Sequence, residues 1–254
     1  MKKISAVIIS KNEEKNIERC LLSIVDIVDE IIIVDSGSTD KTEEIATKFK
    51  NVRFIKHVWE GYSKTKNYGN SLAKFDWILS MDSDEALSEE LRKSIVEAKR
   101  TDKIHFYRFA RITNYCGKWI KHCGWYPDYQ VRLFNKNFTT WIGDGIHEKL
   151  DISPKYETLT LKGDCFHYTV DSMEDHFAKV NLYSSIWAKE AYKNGKRGNV
   201  FFLIVKPIAN FFISYFIKRG VFDGYNGFVI SVIYSHSGFQ RISKLINLHK
   251  TGNV

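Results

Sequence analysis

The chain has 254 residues, 44% of them hydrophobic, which is enough to bury a full core in one domain or in a domain with an appendage and excludes a disordered protein. Lys and Arg number 38 against 30 acidic residues, a formal charge of +8, so the excess should face an anion: nucleic acid, anionic lipid or a phosphorylated substrate. Cys20, Cys116, Cys123 and Cys165 are too scattered for a secreted disulfide framework and form no Cys-x-x-Cys pair, so they are expected as reduced thiols in a cytoplasmic compartment.

Taken in order, the chain opens on MKKISAVIIS, whose short apolar run is followed at once by KNEEKN with no small-residue cleavage site; a first strand over residues 4–9 is expected rather than a leader. Ser10, Lys11, Asn12 and Glu13 then lead into a helix with Ile17, Leu21, Ile24 and Val25 at helical spacing. A second apolar strand over 31–34 ends in DSGSTD, with Asp40 as N-cap and Glu43 completing a capping box for a helix reaching Phe49. A short third strand over 52–55 precedes a helix over 64–74 that carries Lys66 and Asn67. The run Trp77 to Met81 is the fourth strand, and Ser88 caps a helix reaching about residue 100. This alternation predicts a parallel sheet with right-handed crossovers.

From Ile104 the texture changes to antiparallel strands around an aromatic, glycine-rich loop over 115–129, then WIGDGIHEKL, then a strand closed by His167. Residues 171–194 read as a helix with Phe177, Val180, Ser184, Trp187 and Ala191 on one face. Residues 201–217 are strongly apolar but interrupted by Lys206 and Pro207, and a central lysine costs a spanning helix roughly 2.5–3.5 kcal/mol. Lys206, Asn210, Ser214 and Lys218 fall four apart in one polar stripe. That pattern suits a helix in a membrane interface, with packing on the catalytic domain or on a partner subunit as the other reading. A second apolar stretch, 228–234, leads into a basic tail ending near Lys250.

The chemistry concentrates in WILSMDSDEA. An apolar strand ending in Asp82 and Asp84 puts two carboxylates at a strand tip, where open parallel sheets bind ligands; in an extended chain both would project to one side and call for a cation. There is no G-x-G-x-x-G after the first strand and no P-loop, so a divalent metal, Mg2+ or Mn2+, on Asp82 and Asp84 is the expected means of handling a nucleotide sugar's diphosphate. Asp35 is placed to accept from a base N–H or ribose hydroxyl, and Lys66 to reach the diphosphate. Trp119, Trp125 and Tyr126 are either core packing or a platform for the C–H face of a sugar ring, and Trp125 and Tyr126, with His147, are the candidates for the acceptor side.

The stretches VIISKNEE, IIIVDSGSTDKT, SKTKNYG and WILSMDSDE resemble the successive donor-site segments of family 2 inverting glycosyltransferases of the GT-A fold. GKWIKHCGWYPDYQVRLFNK, GDGIHEKL and FHY are similar to the branch containing the lipopolysaccharide core β-1,4-glucosyltransferases. The resemblance implies an α/β GT-A fold with a mostly parallel central sheet, helices on both faces and a C-terminal helical appendage. It implies a catalytic domain over 1–170, donor half 1–100 and acceptor half 101–170, with helices over 171–254.

By the same resemblance Ser10, Asn12 and Glu13 line the nucleoside pocket with Asp35, and Lys66 and Asn67 lie near the donor. Asp82 and Asp84 occupy the Asp-x-Asp motif, His167 completes the metal site, and Glu148 is the base, with Asp128 its rival. The implied activity is transfer of a hexose, from UDP-glucose or a similar donor, to an envelope glycolipid or glycan, by a protein peripheral to the cytoplasmic face of the inner membrane. A nucleotide-sugar scaffold without turnover and a haloacid-dehalogenase-type phosphatase are the competing readings; nucleic-acid binding is not expected, because the basic residues follow no groove-reading motif.

Overall fold

The structure is a computed structural model that describes residues 1–101, 105–143 and 148–252. The chain divides into two compact units, the first of residues 1–111 and 128–168, the second of residues 112–127 and 169–254.

In the first unit, β1 (Ile4–Ser10) and β2 (Glu30–Asp35) are buried along their whole length, as their unbroken apolar runs require of strands covered on both faces. They lie in the parallel order β3 (Val52–Lys56), β2, β1, β4 (Trp77–Asp82). Alternate residues serve opposite faces. Ile4, Ile8, Ile31, Ile33 and Leu79 pack under α1 (Ile17–Ile24) and α4 (Glu89–Ala98), while Val7, Ile32, Val34 and Ile78 pack under α3 (Tyr62–Leu72). Gly69 makes the second contact close: a Cβ there would lie 2.5 Å from Val7 Cγ1 and 3.0 Å from Val34 Cγ2. Helix α2 is only Thr42–Ala46 and stops short of the expected end at Phe49; at its start Asp40 accepts from the Thr42 N–H and hydroxyl and from the Glu14 N–H.

Beyond β4 the sheet turns antiparallel, as the change of texture predicts. It continues through β8 (Asp128–Asn135), β6 (Phe106–Tyr115), β11 (Thr158–Val170) and β5 (Glu85–Leu87). The three-residue β5 was not foreseen; it follows the aspartate motif directly and sets His167 opposite Glu85. A small ladder of β9 (Trp141–Ile142) and β10 (Lys149–Leu150) brackets the segment leading to Glu148.

In the second unit, the end of β6 pairs with β7 (Lys118–Ile120), and α5 (Met173–Lys193), α6 (Val200–Phe212) and α7 (Gly224–Thr251) pack together. The buried face of α5 is His176, Ser184, Ala188 and Ala191. Phe177, expected on that face, is exposed; α7 packs along the small side chains Ser184, Ala188 and Ala191 instead. A π-helical turn over Ile213–Ile217 continues α6. Trp125 meets Tyr115 and His176 edge-on, with ring centroids 5.7 and 5.8 Å away.

His176 titrates nearest neutrality in that aromatic core, its Nδ1 3.0 Å from the Tyr115 hydroxyl, which burial pushes up to about 12. Burial, with Lys179 adding to it, pushes the imidazole down to about 4. A folded-state value below the unfolded one of about 6.5 means that the unfolded chain takes up protons first, so stability is intact above about 6.5 and drains away as the pH falls toward 4. Denaturant midpoints measured across that range should fall more steeply for the wild type than for His176→Gln; parallel slopes would contradict the assignment.

Candidate functional site

The site is a cavity of about 330 Å³ in the first unit, lined by Lys66, Asp82, Arg111, Gln130, Arg132, Trp141 and Glu148. Asp82 is the last residue of β4. A turn begins at Ser83, so the chain is not extended from Asp82 to Asp84 and the i, i+2 argument for a shared side does not apply there. Asp82 Oδ2 accepts from Arg132 Nη2 at 2.6 Å, and Oδ1 lies 3.3 Å from Lys66 Nζ. Asp84 is instead 3.3 Å from His167 Nε2 through Oδ2, brought there by the β5–β11 register and by the bond from the Tyr168 N–H to the Asp84 carbonyl at 2.9 Å.

The centre of the charge cluster is one that sequence reasoning missed. Arg132 is 4% exposed and binds both Asp82 and Glu85, the latter at 2.9 Å. Glu85 is itself fully buried, accepting also from Arg111 Nη1 at 3.2 Å and from the Asp82 N–H at 2.9 Å. Burial pushes the Asp82 carboxyl up, but the charges of Arg132 and Lys66 outweigh it and hold the group well below the usual carboxylate range. Arg132 is raised in turn by Asp82 and Glu85 against its own burial.

Lys66 is 2% exposed in its side chain and bridges the two ends of the cleft, since its Nζ also donates to Glu148 Oε1 at 3.1 Å and sits 4.7 Å from the Trp141 ring centroid. Asn67, one residue on, staples β9: its Nδ2 donates to the Trp141 carbonyl at 2.8 Å and its Oδ1 accepts from the Trp141 N–H at 2.9 Å. Ser63 holds the Gly143 carbonyl at 2.8 Å. Three residues of α3 therefore determine where the β9–β10 segment lies against the sheet. Asp128 accepts from Arg111 at 2.7 and 2.9 Å and from Gln130 at 2.7 Å.

Ser10 and Asp35 are register partners at the ends of β1 and β2. Asp35 is buried and accepts from the N–H groups of Gly37 and Ser38 and from the Ser38 hydroxyl. Asn12, at φ 56°, accepts from the Thr39 N–H at 2.8 Å, and the Glu13 N–H donates to Thr42 at 2.8 Å. These four shape one pair of strand-end loops. Trp125 and Tyr126 belong to the second unit, where Trp125 packs on the aromatic core; His147 lies outside the described residues.

A metal is tested by the donors available. Among the described residues no three His, Cys, Asp or Glu side chains converge on one point, and Asp82 is engaged by its cations. Asp84 Oδ2 and His167 Nε2, 3.3 Å apart, fit as two protein donors to an ion that takes its remaining ligands from substrate phosphates and water, the usual arrangement for Mg2+.

Removing the buried guanidinium would take away the cation that Asp82 and Glu85 share and leave them only Lys66 and Arg111, so Arg132→Met should lower unfolding stability by about 3–5 kcal/mol, read by urea titration at neutral pH. In the wild type the folded-state Asp82 value lies below an unfolded value of about 3.9, so its ion pairs stabilise the fold above that pH and are lost as pH falls through the folded-state value. The variant should begin losing stability at a higher pH, and an unchanged acid limb would contradict the assignment.

Residues 5–177 match the model of the family described as "Glycosyl transferase family 2". An uncharacterized glycosyltransferase of Rickettsia typhi is 35% identical over 100% of this chain and 90% of its own length. The lipopolysaccharide core biosynthesis glycosyltransferase LpsC of Rhizobium meliloti is 28% identical over 97% of this chain and 93% of its own. The structure of glucosyl-3-phosphoglycerate synthase from Mycobacterium tuberculosis, solved with Mn2+, uridine diphosphate and phosphoglyceric acid, aligns at a TM-score of 0.36 and 26% identity over 46% of this chain and 44% of that one. The phosphatase reading is not favoured, and the chain belongs to glycosyl transferase family 2, with the GT-A fold.

Proposed function

We propose that the chain is a metal-dependent inverting glycosyltransferase that moves a hexose from a nucleotide-diphosphate sugar, UDP-glucose or a close relative, to a glycolipid or glycan of the cell envelope, and that it works at the cytoplasmic face of the inner membrane. The likeness to LpsC over nearly the whole of both chains supports a lipopolysaccharide-core type of acceptor. The observation that carries the reading is the joint position of Asp82 and Glu148 on one lysine, Lys66, in a single cleft.

The charge count of that cleft bears on metal dependence. Lys66, Arg111 and Arg132 face Asp82, Glu85, Asp128 and Glu148, and Asp84 stands beside them in sequence. The fixed charges sum to a slight negative excess, which repels a diphosphate. Asp84 and His167 would hold Mg2+ or Mn2+, which supplies the positive charge that neutralises the leaving diphosphate.

The chain's own residues do the rest. Ser10, Asn12, Glu13 and Asp35 form the wall for the nucleoside, with Asp35 held rigid by its turn. Lys66 and Asp82 orient the sugar end of the donor, and the site excludes water enough to strengthen each of these contacts. Glu148 receives the proton of the acceptor hydroxyl as that oxygen attacks the anomeric carbon from the face opposite the nucleotide; the bond from that carbon to the phosphate oxygen breaks, and the nucleoside diphosphate leaves. Asp128, committed to Arg111 and Gln130, holds the cationic wall rather than serving as base.

Glu148→Gln should retain nucleotide-sugar binding and lose transfer by on the order of 10² to 10⁴, read by donor titration and by product formation. Normal turnover would remove Glu148 from the role. Asp84→Ala should abolish the rise in melting temperature that Mn2+ with uridine diphosphate produces in the wild type, whereas a metal-dependent shift of full size in the variant would refute the metal assignment.

A further inference from the structure

Helix α6 and the π-helical turn after it are built inside out. The polar stripe Lys206, Asn210 and Ser214 turns toward the protein. Lys206 Nζ lies 5.7 Å from the Trp187 ring centroid on α5, the Asn210 side-chain amide donates to the Tyr234 carbonyl on α7 at 3.4 Å, and the Ser214 hydroxyl, 1% exposed, accepts from Ser231 at 2.9 Å. Contact is close enough that a Cβ on Gly238 of α7 would lie 2.5 Å from Asn210 Nδ2. The opposite face carries Phe201, Ile204, Ile208, Phe212 and Phe216 at helical spacing, each more than half exposed. The window Val200–Ile217 has a mean hydropathy of 1.9 and is 6% buried. A helix packed on a domain in water turns its apolar stripe inward; this one does the reverse, which is stable only if its outer medium is apolar.

The charge around this face selects the medium. From Ala191 to Val254 the sequence holds nine Lys and Arg and a single acid, Asp223, so the formal +8 of the chain resides in this segment. Asp223 is buried and bonded to the backbone N–H and the ring of His122, leaving the outer surface to cations. Lys196 and Arg197 precede α6, Lys218 and Arg219 follow it, and all four are exposed. Beyond Arg219 the chain presents Phe222 and Tyr225, 71% and 74% exposed. Exposed aliphatic and aromatic side chains between two cationic ends match the boundary of an anionic bilayer, where apolar groups enter the acyl region and Lys and Arg meet headgroup phosphates.

We infer that the outer face of α6, with the Phe216–Tyr225 corner, seats this protein on the interface of an anionic lipid bilayer without crossing it. The helix does not span, because its inner side is engaged by α7 and α5, and α5 carries exposed charges such as Lys189 and Lys193. This names the surface behind the membrane-bound acceptor of the proposed function and rests on that reading only for its purpose, not for its evidence.

The test is sedimentation of the full chain with vesicles, which reads binding independently of sugar transfer. Wild-type protein should pellet with vesicles of equal parts phosphatidylcholine and phosphatidylglycerol, bind phosphatidylcholine alone far less, and be released by raised salt. The double variant Phe201→Asp, Ile208→Asp changes exposed side chains only, should keep the wild-type circular dichroism and melting profile, and should stay in the supernatant. Replacing Lys196, Arg197 and Lys218 by Gln should weaken binding to the anionic vesicles on the order of a hundredfold. A wild-type chain that binds neither vesicle would overturn the inference. So would a dimer dissociated by Phe201→Asp, Ile208→Asp, which would make the face a contact between two copies, and so would resistance of membrane-bound protein to carbonate extraction, which would make the helix a true span.

Discussion

The first unit depends on one buried guanidinium. Arg132 lies between Asp82 and Glu85 with almost no contact with solvent, and each of those carboxylates is tolerable there only because the others are present. Buried ion pairs are poor sources of net stability, since desolvation offsets most of the attraction. Their value is geometric: the Glu85 carboxylate also accepts the Asp82 N–H, which closes the turn at Ser83. Closure directs Asp82 toward the cations and lets β5 pair with β11, which is what delivers His167 to Asp84. A hydrophobic trio of equal volume could fill the space, but it could not specify that turn.

The opposite wall is organised from α3. Because Gly69 has no Cβ, the helix lies directly on β1 and β2, and its first turns reach over the strand ends. Lys66, Asn67 and Ser63 then perform three separate tasks from one short stretch: an ammonium linking Asp82 to Glu148, an amide holding both backbone groups of Trp141, and a hydroxyl holding Gly143. Few long side chains are needed, because the sheet and the helix are each rigid and their separation is fixed by a glycine.

What was legible in the sequence follows from how local each determinant is. The strands β1, β2 and β4 are continuous apolar runs with turn residues at their ends, and a helix between each pair is dictated by parallel connection, so this part of the first unit could be read directly. Lys66, Asp82 and Glu148, placed by likeness to the family's motifs, do meet in one cleft. The parts that escaped are those made by pairing at a distance. Arg132 in QVRLFNK looks like an ordinary strand arginine until β8 is set against β4, and Glu85 looks like a helix-leading acid until β5 forms. The pattern that could have exposed them is their alternation: Arg132 sits between apolar neighbours in a strand with Leu133 and Phe134 buried, where a charge demands a partner. The strand argument for Asp82 and Asp84 lapses for a local reason, since i and i+2 share a side only while the chain stays extended and a turn begins at Ser83.

The two units place their polar groups by the same rule applied to different surroundings. In the first, charges are drawn inward because each meets an opposite charge and a ligand-sized cleft is left among them. In the second, Asn210 and Ser214 are drawn inward to the Tyr234 carbonyl and the Ser231 hydroxyl of α7, and Lys206 to the face of Trp187. A four-residue polar period in an apolar helix is ambiguous by itself, because it fits a wet stripe as well as an internal seam. Exposure of the phenylalanines decides between these: with the stripe occupied by α7, the cost of leaving those rings in water at about 25 cal/mol per Å² is too large to be incidental. The exposed Lys196 and Arg197 at one end of that face and Lys218 and Arg219 at the other then call for a covering medium that is both apolar at depth and anionic at its edge.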